Sequence, residues 1–503
     1  MVETAGTALP ATLPASVVDG NTDIADVVVV GFGIAGGCAA LEAARAGAKV
    51  VLLERAAVHG GTSSMSGGHF YLGGGTAVQR ATGHDDSPEE MFRYLMAVMK
   101  EPDAEKVRAY CDGSVEHFDW LEDLGFEFER SYYPEKAVIQ PGTEGLMFTG
   151  NEKVHPFRDQ AKPAPRGHKV PVPGDTEGTR VIMDLLRTRV EEAGVDVRFE
   201  TGATNLVLAQ GGAPTDSTDS TGEGSDGEVV GVAWKRFTET GVIATRSVVL
   251  AAGGFVMNAD MVAKYTPKLA EKPFVLGSTY DDGLGIRLGE SVGAATAFMD
   301  EPFITAPFYP PSSLVKGILV NKRGERFVAE DSYHSRTCGF VMEQPDSAAY
   351  LIVDSEHIEH PAFPLAPFID GWETVEEMEE GLGLPTGSLA KTLDRYNEHA
   401  ARGEDPDFGK HPDWLAPQAT GPWGAYDLTL GKALYAGFTL GGLVTTVDGE
   451  VRRPDGSVIA GLYAAGACAS NIAQDGKGYA SGTQLGEGSF FGRRAGRHAA
   501  QRS

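Results

Sequence analysis

The chain has 503 residues, 42% of them hydrophobic, enough for a large core and two or three domains. Its 70 acidic against 43 basic residues leave a net charge of -27, which argues against nucleic acid or an anionic membrane surface as a partner. Cys38, Cys111, Cys338 and Cys468 show no CxxC, haem or zinc spacing, so reduced thiols, a cytoplasmic location and no metal are expected.

Residues 1–25 hold no Lys or Arg, which argues against secretory, twin-arginine and mitochondrial signals, and with Pro10 and Pro14 they read as a flexible tail. No run of about 18 apolar residues occurs, so no membrane span is expected. Val27-Val28-Val29-Val30 is a buried-strand run, followed by Gly31-Phe32-Gly33-Ile34-Ala35-Gly36-Gly37, an Ala-rich helix and a second strand, Val50-Val51-Leu52-Leu53-Glu54. This strand, GxGxxG, helix, strand order is the dinucleotide-binding unit of a Rossmann-type α/β domain. Gly31, Gly33 and Gly36 allow a tight turn and close approach of a pyrophosphate to the helix N-terminus at Ile34 and Ala35. Glu54, 21 residues beyond Gly33, can accept hydrogen bonds from an adenosine ribose, with Arg55 beside it. A carboxylate there argues against a ribose phosphate, hence against NADP.

Gly60-Gly61-Thr62-Ser63-Ser64-Met65-Ser66-Gly67-Gly68 adds a second glycine and hydroxyl loop directly after the acid. Nicotinamide dehydrogenases have no need of it, whereas Gly61, Thr62, Ser63, Gly67 and Gly68 suit backbone contacts to the pyrophosphate and ring of a flavin. FAD is therefore the expected cofactor, held non-covalently, with His59 an ordinary loop histidine rather than a covalent link.

Residues 87–124 read as helices opened by Ser87-Pro88-Glu89-Glu90. The Pro, Gly and Lys-rich stretch 134–175 carries no clear element. A helix over 179–192 precedes strands over 195–199, 203–209, 229–235 and 247–252, with 210–227 a disordered hairpin tip. The last of these strands returns the chain to the nucleotide at Ala252 and Gly253, and Asp281-Asp282-Gly283-Leu284-Gly285 opens another helix. From residue 295 the pattern shifts to short strands, prolines and aromatics, with a hairpin over 317–328 and a helix over 384–402. Gly441-Gly442-Leu443 and the run ending in Gly466 and Ala467 re-enter the first domain. The expected division is a tail over 1–25, an FAD-binding domain over 26–294 and 421–503, and an inserted substrate domain over 295–420.

Near the C-terminus, Gly478-Tyr479-Ala480-Ser481-Gly482-Thr483-Gln484-Leu485-Gly486 sets a phenol and an alcohol two residues apart on a loop before a helix. That helix start, with Gly482 and Leu485, would direct free N–H groups and a positive dipole end at a flavin ring.

Residues 29–36, 54–68, 251–255, 321–330, 395–397 with 405–409, and 461–496 together resemble the flavoprotein family of fumarate reductases and 3-ketosteroid dehydrogenases, over almost the entire chain. The resemblance implies a glutathione-reductase-like FAD-binding domain interrupted by an α+β capping domain. It also implies two-hydrogen chemistry across a carbon–carbon bond next to a carbonyl. Soluble fumarate reductases clamp a dicarboxylate with histidines and arginines. Here no Arg follows residues 349–354 before Arg395, no His falls between Gly461 and His498, and Glu301-Pro302-Phe303-Ile304-Thr305 stands where that branch has a histidine.

Tyr479 and Ser481, with Tyr333, are similar to the branch that introduces a 4,5 double bond into 5α-reduced 3-ketosteroids, Ser481 separating it from the 1,2-dehydrogenating branch. Tyr479 is the candidate donor to the ketone oxygen, Ser481 the acceptor of the carbon 4 proton and Tyr333 the relay behind it. Phe70, Tyr71, Phe303, Phe308 and Tyr309 are candidates for a sterol-facing wall, and Glu330 with Arg336 for a proton path or an ion pair. Competing readings are a 1,2-dehydrogenase, a reductase of an enoate or 3-keto-4-ene, and a flavin carrier with a degenerate site. The electron acceptor is not named by the sequence.

Overall fold

The computed structural model describes residues 6–20, 22–174, 178–209, 227–271, 274–306, 308–309, 311–361 and 366–502. At its centre is a six-stranded sheet in the order Glu450–Arg452, Val458–Ala464, Ser247–Leu250, Val27–Val30, Val50–Leu53, Asp196–Arg198. All neighbours are parallel except the first pair. The valine runs are buried on both faces, which is why they carry no alternation.

The helix Ile34–Arg45 packs against the C-terminal helix Thr483–Gln501 along a seam of small residues. A side chain at Gly492 or Gly496 would run into the Ala35 or Ala39 backbone, so the four-residue glycine spacing is what lets the two helices approach. This contact fixes the start of the C-terminal helix over the end of the strand Val27–Val30. Ser87 caps the helix Pro88–Val98 by accepting the Glu90 N–H at 3.2 Å, and Ala104–Leu124 follows.

The capping region is a four-stranded antiparallel sheet, Ile318–Val320, Tyr350–Asp354, Trp423–Asp427 and Phe368–Trp372, backed by the helix Ser388–Ala400. Trp423–Asp427, beyond residue 420, lies inside that sheet. Beyond it, Ala436–Thr439 pairs with Pro302–Thr305 and carries the chain back.

The N-terminal stretch is not a loose tail among its described residues. Leu13–Pro14 and Asp23–Ile24 add parallel strands to the two edges of a sheet formed by Gly202–Ala209, Glu228–Arg236 and Glu239–Ala244. The open ladder of each edge strand is a binding site that this segment fills. Glu239–Ala244 was not expected from the sequence. The anticipated tip over 210–226 lies outside the described residues. The 317–328 hairpin reduces to one bridge, Val320 to Arg326, because Arg326 turns inward to Glu330 and Asp405. No helix among the described residues is long and apolar enough to cross a membrane.

Candidate active site

One cavity of about 610 Å³ runs from the C-terminal ends of the central strands to the underside of the cap. At its first end the backbone does the shaping. Gly31 has φ 102°, and a side chain there would collide with the Ala251 carbonyl, so the loop lies flat on the neighbouring strand and leaves the helix N-terminus open. The Ile34 N–H points to Ser63 Oγ at 3.1 Å, which brings the second glycine loop onto that terminus. Glu54 accepts the N–H groups of Phe32 and Ala56, both at 2.7 Å, and burial raises its carboxyl against their pull.

Gly33, Ala35, Arg55, Gly61, Thr62, Gly67, Ala252, Gly253, Gly466, Ala467, Gly482 and Leu485 also line the cavity. Two expected contacts do not: Gly36 and Gly68 stand behind the wall. At Gly36 a side chain would collide with the Gly31 carbonyl, and at Gly68 it would press on the Gly178 backbone. His59 bonds Asp184 at 3.0 Å and lies against Phe32. The sequence reading missed Asp281, which accepts from Thr62 and is pushed up to about 6 by burial against that bond, and Tyr280, whose ring lies 4.5 Å from the Arg55 guanidinium carbon. A glycine cradle, an open helix N-terminus and a carboxylate at the second strand form a donor and acceptor set that fits a phosphate-bearing dinucleotide such as FAD.

At the other end the polar groups are side chains. Tyr333 and Ser481, 148 positions apart, bring their hydroxyls to 2.5 Å. Burial raises the Tyr333 phenol well above the ordinary range, the Ser481 hydroxyl pulling the other way. Tyr479 is also buried and its phenol is raised too, by burial first and then by the nearby Tyr333 and Glu487, while the Gln484 backbone N–H opposes them. Both phenols therefore carry their protons at neutral pH. Around them, Phe303 packs 4.6 Å from Phe438 and 4.5 Å from Tyr479, centroid to centroid.

Several expectations fail at this end. Phe70 and Tyr71 are absorbed into the core, Phe70 against Phe126 and Phe128, while Tyr71 donates to Glu152 at 2.9 Å. Phe308 and Tyr309 are buried beside the cavity without lining it. Glu330 and Arg336 make no ion pair: Glu330 is held by Arg326 at 2.7 Å and Lys410 at 3.3 Å, and Arg336 lies over Phe157 and Phe340.

Val138, Ile139, Thr305, His334 and Phe438 line the cavity without having been assigned there. His334 was visible beside Tyr333 and Thr305 beside Phe303, but no spacing rule joins them. Thr305 Oγ1 bonds His334 Nδ1, and burial pushes that imidazole down to about 3, so it is neutral. His69 on the wall is likewise lowered to about 4 by burial. Among the described residues Arg55 is the one arginine lining the cavity, and it lies at the dinucleotide end.

The FAD binding domain family model matches residues 26–488. The 3-ketosteroid-Δ4-(5α)-dehydrogenase of Rhodococcus jostii RHA1, solved in complex with 4-androstene-3,17-dione, is 40% identical, with 98% of this chain and 100% of that one covered and a TM-score of 0.87. The 3-oxosteroid 1-dehydrogenase of Mycolicibacterium smegmatis is 28% identical over 89% of this chain and 92% of its own length. The vinyl phenol reductase of Lactiplantibacillus plantarum is 28% identical over 95% and 97%. The chain belongs to the FAD binding domain family, among the FAD-dependent oxidoreductases that include the fumarate reductases and 3-ketosteroid dehydrogenases.

Proposed function

We propose that the protein dehydrogenates a 5α-reduced 3-ketosteroid to the 3-keto-4-ene. The observation that carries this reading is the 2.5 Å contact between Ser481 and Tyr333 in an apolar cavity without a cationic clamp. A dicarboxylate in that cavity would have neutral His334 and the phenols as partners, too little to offset its desolvation. A steroid body needs what Phe303 and Phe438 offer, apolar surface and no unmet polar group.

The ketone acidifies the carbon–hydrogen bond beside it, and the residues have to strengthen that effect. Tyr479 donates its phenolic hydrogen to the ketone oxygen, where negative charge grows as the carbon 4 proton leaves. A phenol raised by burial suits a donor that must not ionise. Ser481 takes that proton while passing its own to Tyr333, whose phenolic proton moves on to solvent in the same step, so neither hydroxyl has to bear a full charge. FAD, when bound, supplies the acceptor for the hydride leaving carbon 5. Excluding water from the cavity strengthens both the donor contact and the relay.

Adding a 5α-reduced 3-ketosteroid to the anaerobic holoprotein tests the reading. Rapid loss of flavin absorbance with a 3-keto-4-ene as product is expected, slowed about 10²- to 10⁴-fold in Ser481→Ala. No bleaching with any 3-ketosteroid, or a 1,2-unsaturated product, would end the assignment.

A further inference from the structure

The cavity is completed by a segment with no regular secondary structure. Val138 and Ile139 stand on its wall, and the backbone on either side of them is pegged to a different part of the molecule. Lys136, half-buried, donates from Nζ to the Asp331 carbonyl at 2.5 Å, with the Tyr309 ring centroid 5.0 Å away. Gln140, fully buried, meets His69 Nε2 through Oε1 at 2.8 Å and donates from Nε2 to the Glu144 carbonyl at 2.6 Å.

Asp331 is two residues before Tyr333, and His69 opens the strand His69–Tyr71, whose Tyr71 N–H bonds the Gly482 carbonyl at 3.0 Å. The five residues 136–140 thus join the loop that carries Tyr333 to the strand beside Gly482. A lysine ammonium away from water is costly, and its Nζ is lowered to about 8 by burial. Such a peg holds Val138 and Ile139 still, and a rigid apolar pair discriminates by shape.

We infer that residues 136–140 form a strap whose Val138 and Ile139 side chains determine which apolar bodies the cavity accepts, complementing the aromatic wall of Phe303 and Phe438. The inference rests on the ketosteroid reading and goes beyond it, because Tyr479, Ser481 and Tyr333 read only the ketone and its neighbour. The remainder of such a ligand offers few polar groups, so methylene-scale fit is what separates one from another.

The test titrates holoprotein with two 3-keto-4-enes, one compact at carbon 17 and one bearing a branched alkyl chain, following the flavin absorbance at equilibrium. In Ile139→Ala the ratio of the two Kd values is expected to shift roughly tenfold toward the bulky ligand. Ile139→Val, a milder change that keeps the fold, is expected to shift it about threefold in the same direction. Equal weakening of both ligands, or an unchanged ratio in a variant with full flavin content, would overturn the strap as a specificity element. If wild type binds neither ketone, the ketosteroid reading fails and the strap falls with it.

Discussion

The two ends of the cavity are built by different means. At the dinucleotide end, backbone shape does the work: Gly31 lies on the Ala251 carbonyl, the Ile34 N–H faces Ser63, and one carboxylate, Glu54, ties loop to strand. At the other end the polar atoms are side-chain hydroxyls and an imidazole, set among rings and aliphatic groups, drawn from residues 138–139, 303–305, 333–334, 438 and 479–481. The first end is one local segment with two returns; the second exists only once the cap is folded over it. Substitutions should therefore separate the ends, abolishing cofactor binding at one and leaving the loaded protein inactive at the other.

The largest effect is expected at the first end. Gly31→Val places a β-branched residue at φ 102° and drives its side chain into the Ala251 backbone. The purified variant should carry almost no flavin, read as the ratio of flavin to protein absorbance. A fully yellow Gly31→Val would break the contrast, because the dinucleotide end would then not depend on backbone shape. Tyr479→Phe should do the opposite, keeping the flavin while kcat falls roughly 10²- to 10³-fold, as removal of one donor to a developing oxyanion does. Its ring would still pack against Phe303, so the loss would report the hydroxyl alone.

The same contrast governs how much was legible in the sequence. Gly31, Gly33, Glu54 and the Gly60-Gly61 loop announce themselves because backbone chemistry has few solutions, each with its own glycine spacing. The Gly492 and Gly496 seam against Ala35 and Ala39 was not singled out, because small residues on a helix do not say which neighbour they meet. The pairing of Tyr333 with Ser481 came from a family resemblance, since nothing in either segment points to the other across 148 positions. Phe70 and Tyr71 misled because an aromatic next to a cofactor loop has the same letters whether it faces a ligand or the Phe126–Phe128 core. The edge pairings of Leu13–Pro14 and Asp23–Ile24 were invisible because two-residue strands have no period to read. Glu330 went to Arg326 and Lys410 rather than Arg336 because burial rewards the partners that can also be enclosed.

The smallest predicted effect concerns the helix that joins the two ends. Glu487 lies in the first turns of Thr483–Gln501, buried, accepting the N–H groups of Ile472 at 2.6 Å and Ala473 at 3.0 Å. Burial pushes its carboxyl up to about 7 despite those bonds and despite the charge of Lys106. Because the folded value lies above the unfolded one, its contribution to stability is fully present below about 4.5 and is lost as pH rises through about 7. Lys106, lowered to about 8 by burial, works the other way: its contribution is fully present above about 10.5 and is lost as pH falls through about 8. Glu487→Gln removes the first slope and leaves the second. Wild type should lose on the order of 2 kcal/mol relative to the variant between pH 5 and pH 8, read from melting curves of the holoprotein at both values. Parallel pH dependences would mean that Glu487 titrates as an ordinary carboxylate and that the helix start is open to water. A steeper loss in wild type, with kcat at pH 8 within about twofold in Glu487→Gln, would make Glu487 a support for the whole loop rather than part of the chemistry. That outcome sharpens the comparison, because the ionisable residue closest in sequence to Tyr479 and Ser481 on this helix would then belong to neither end of the cavity.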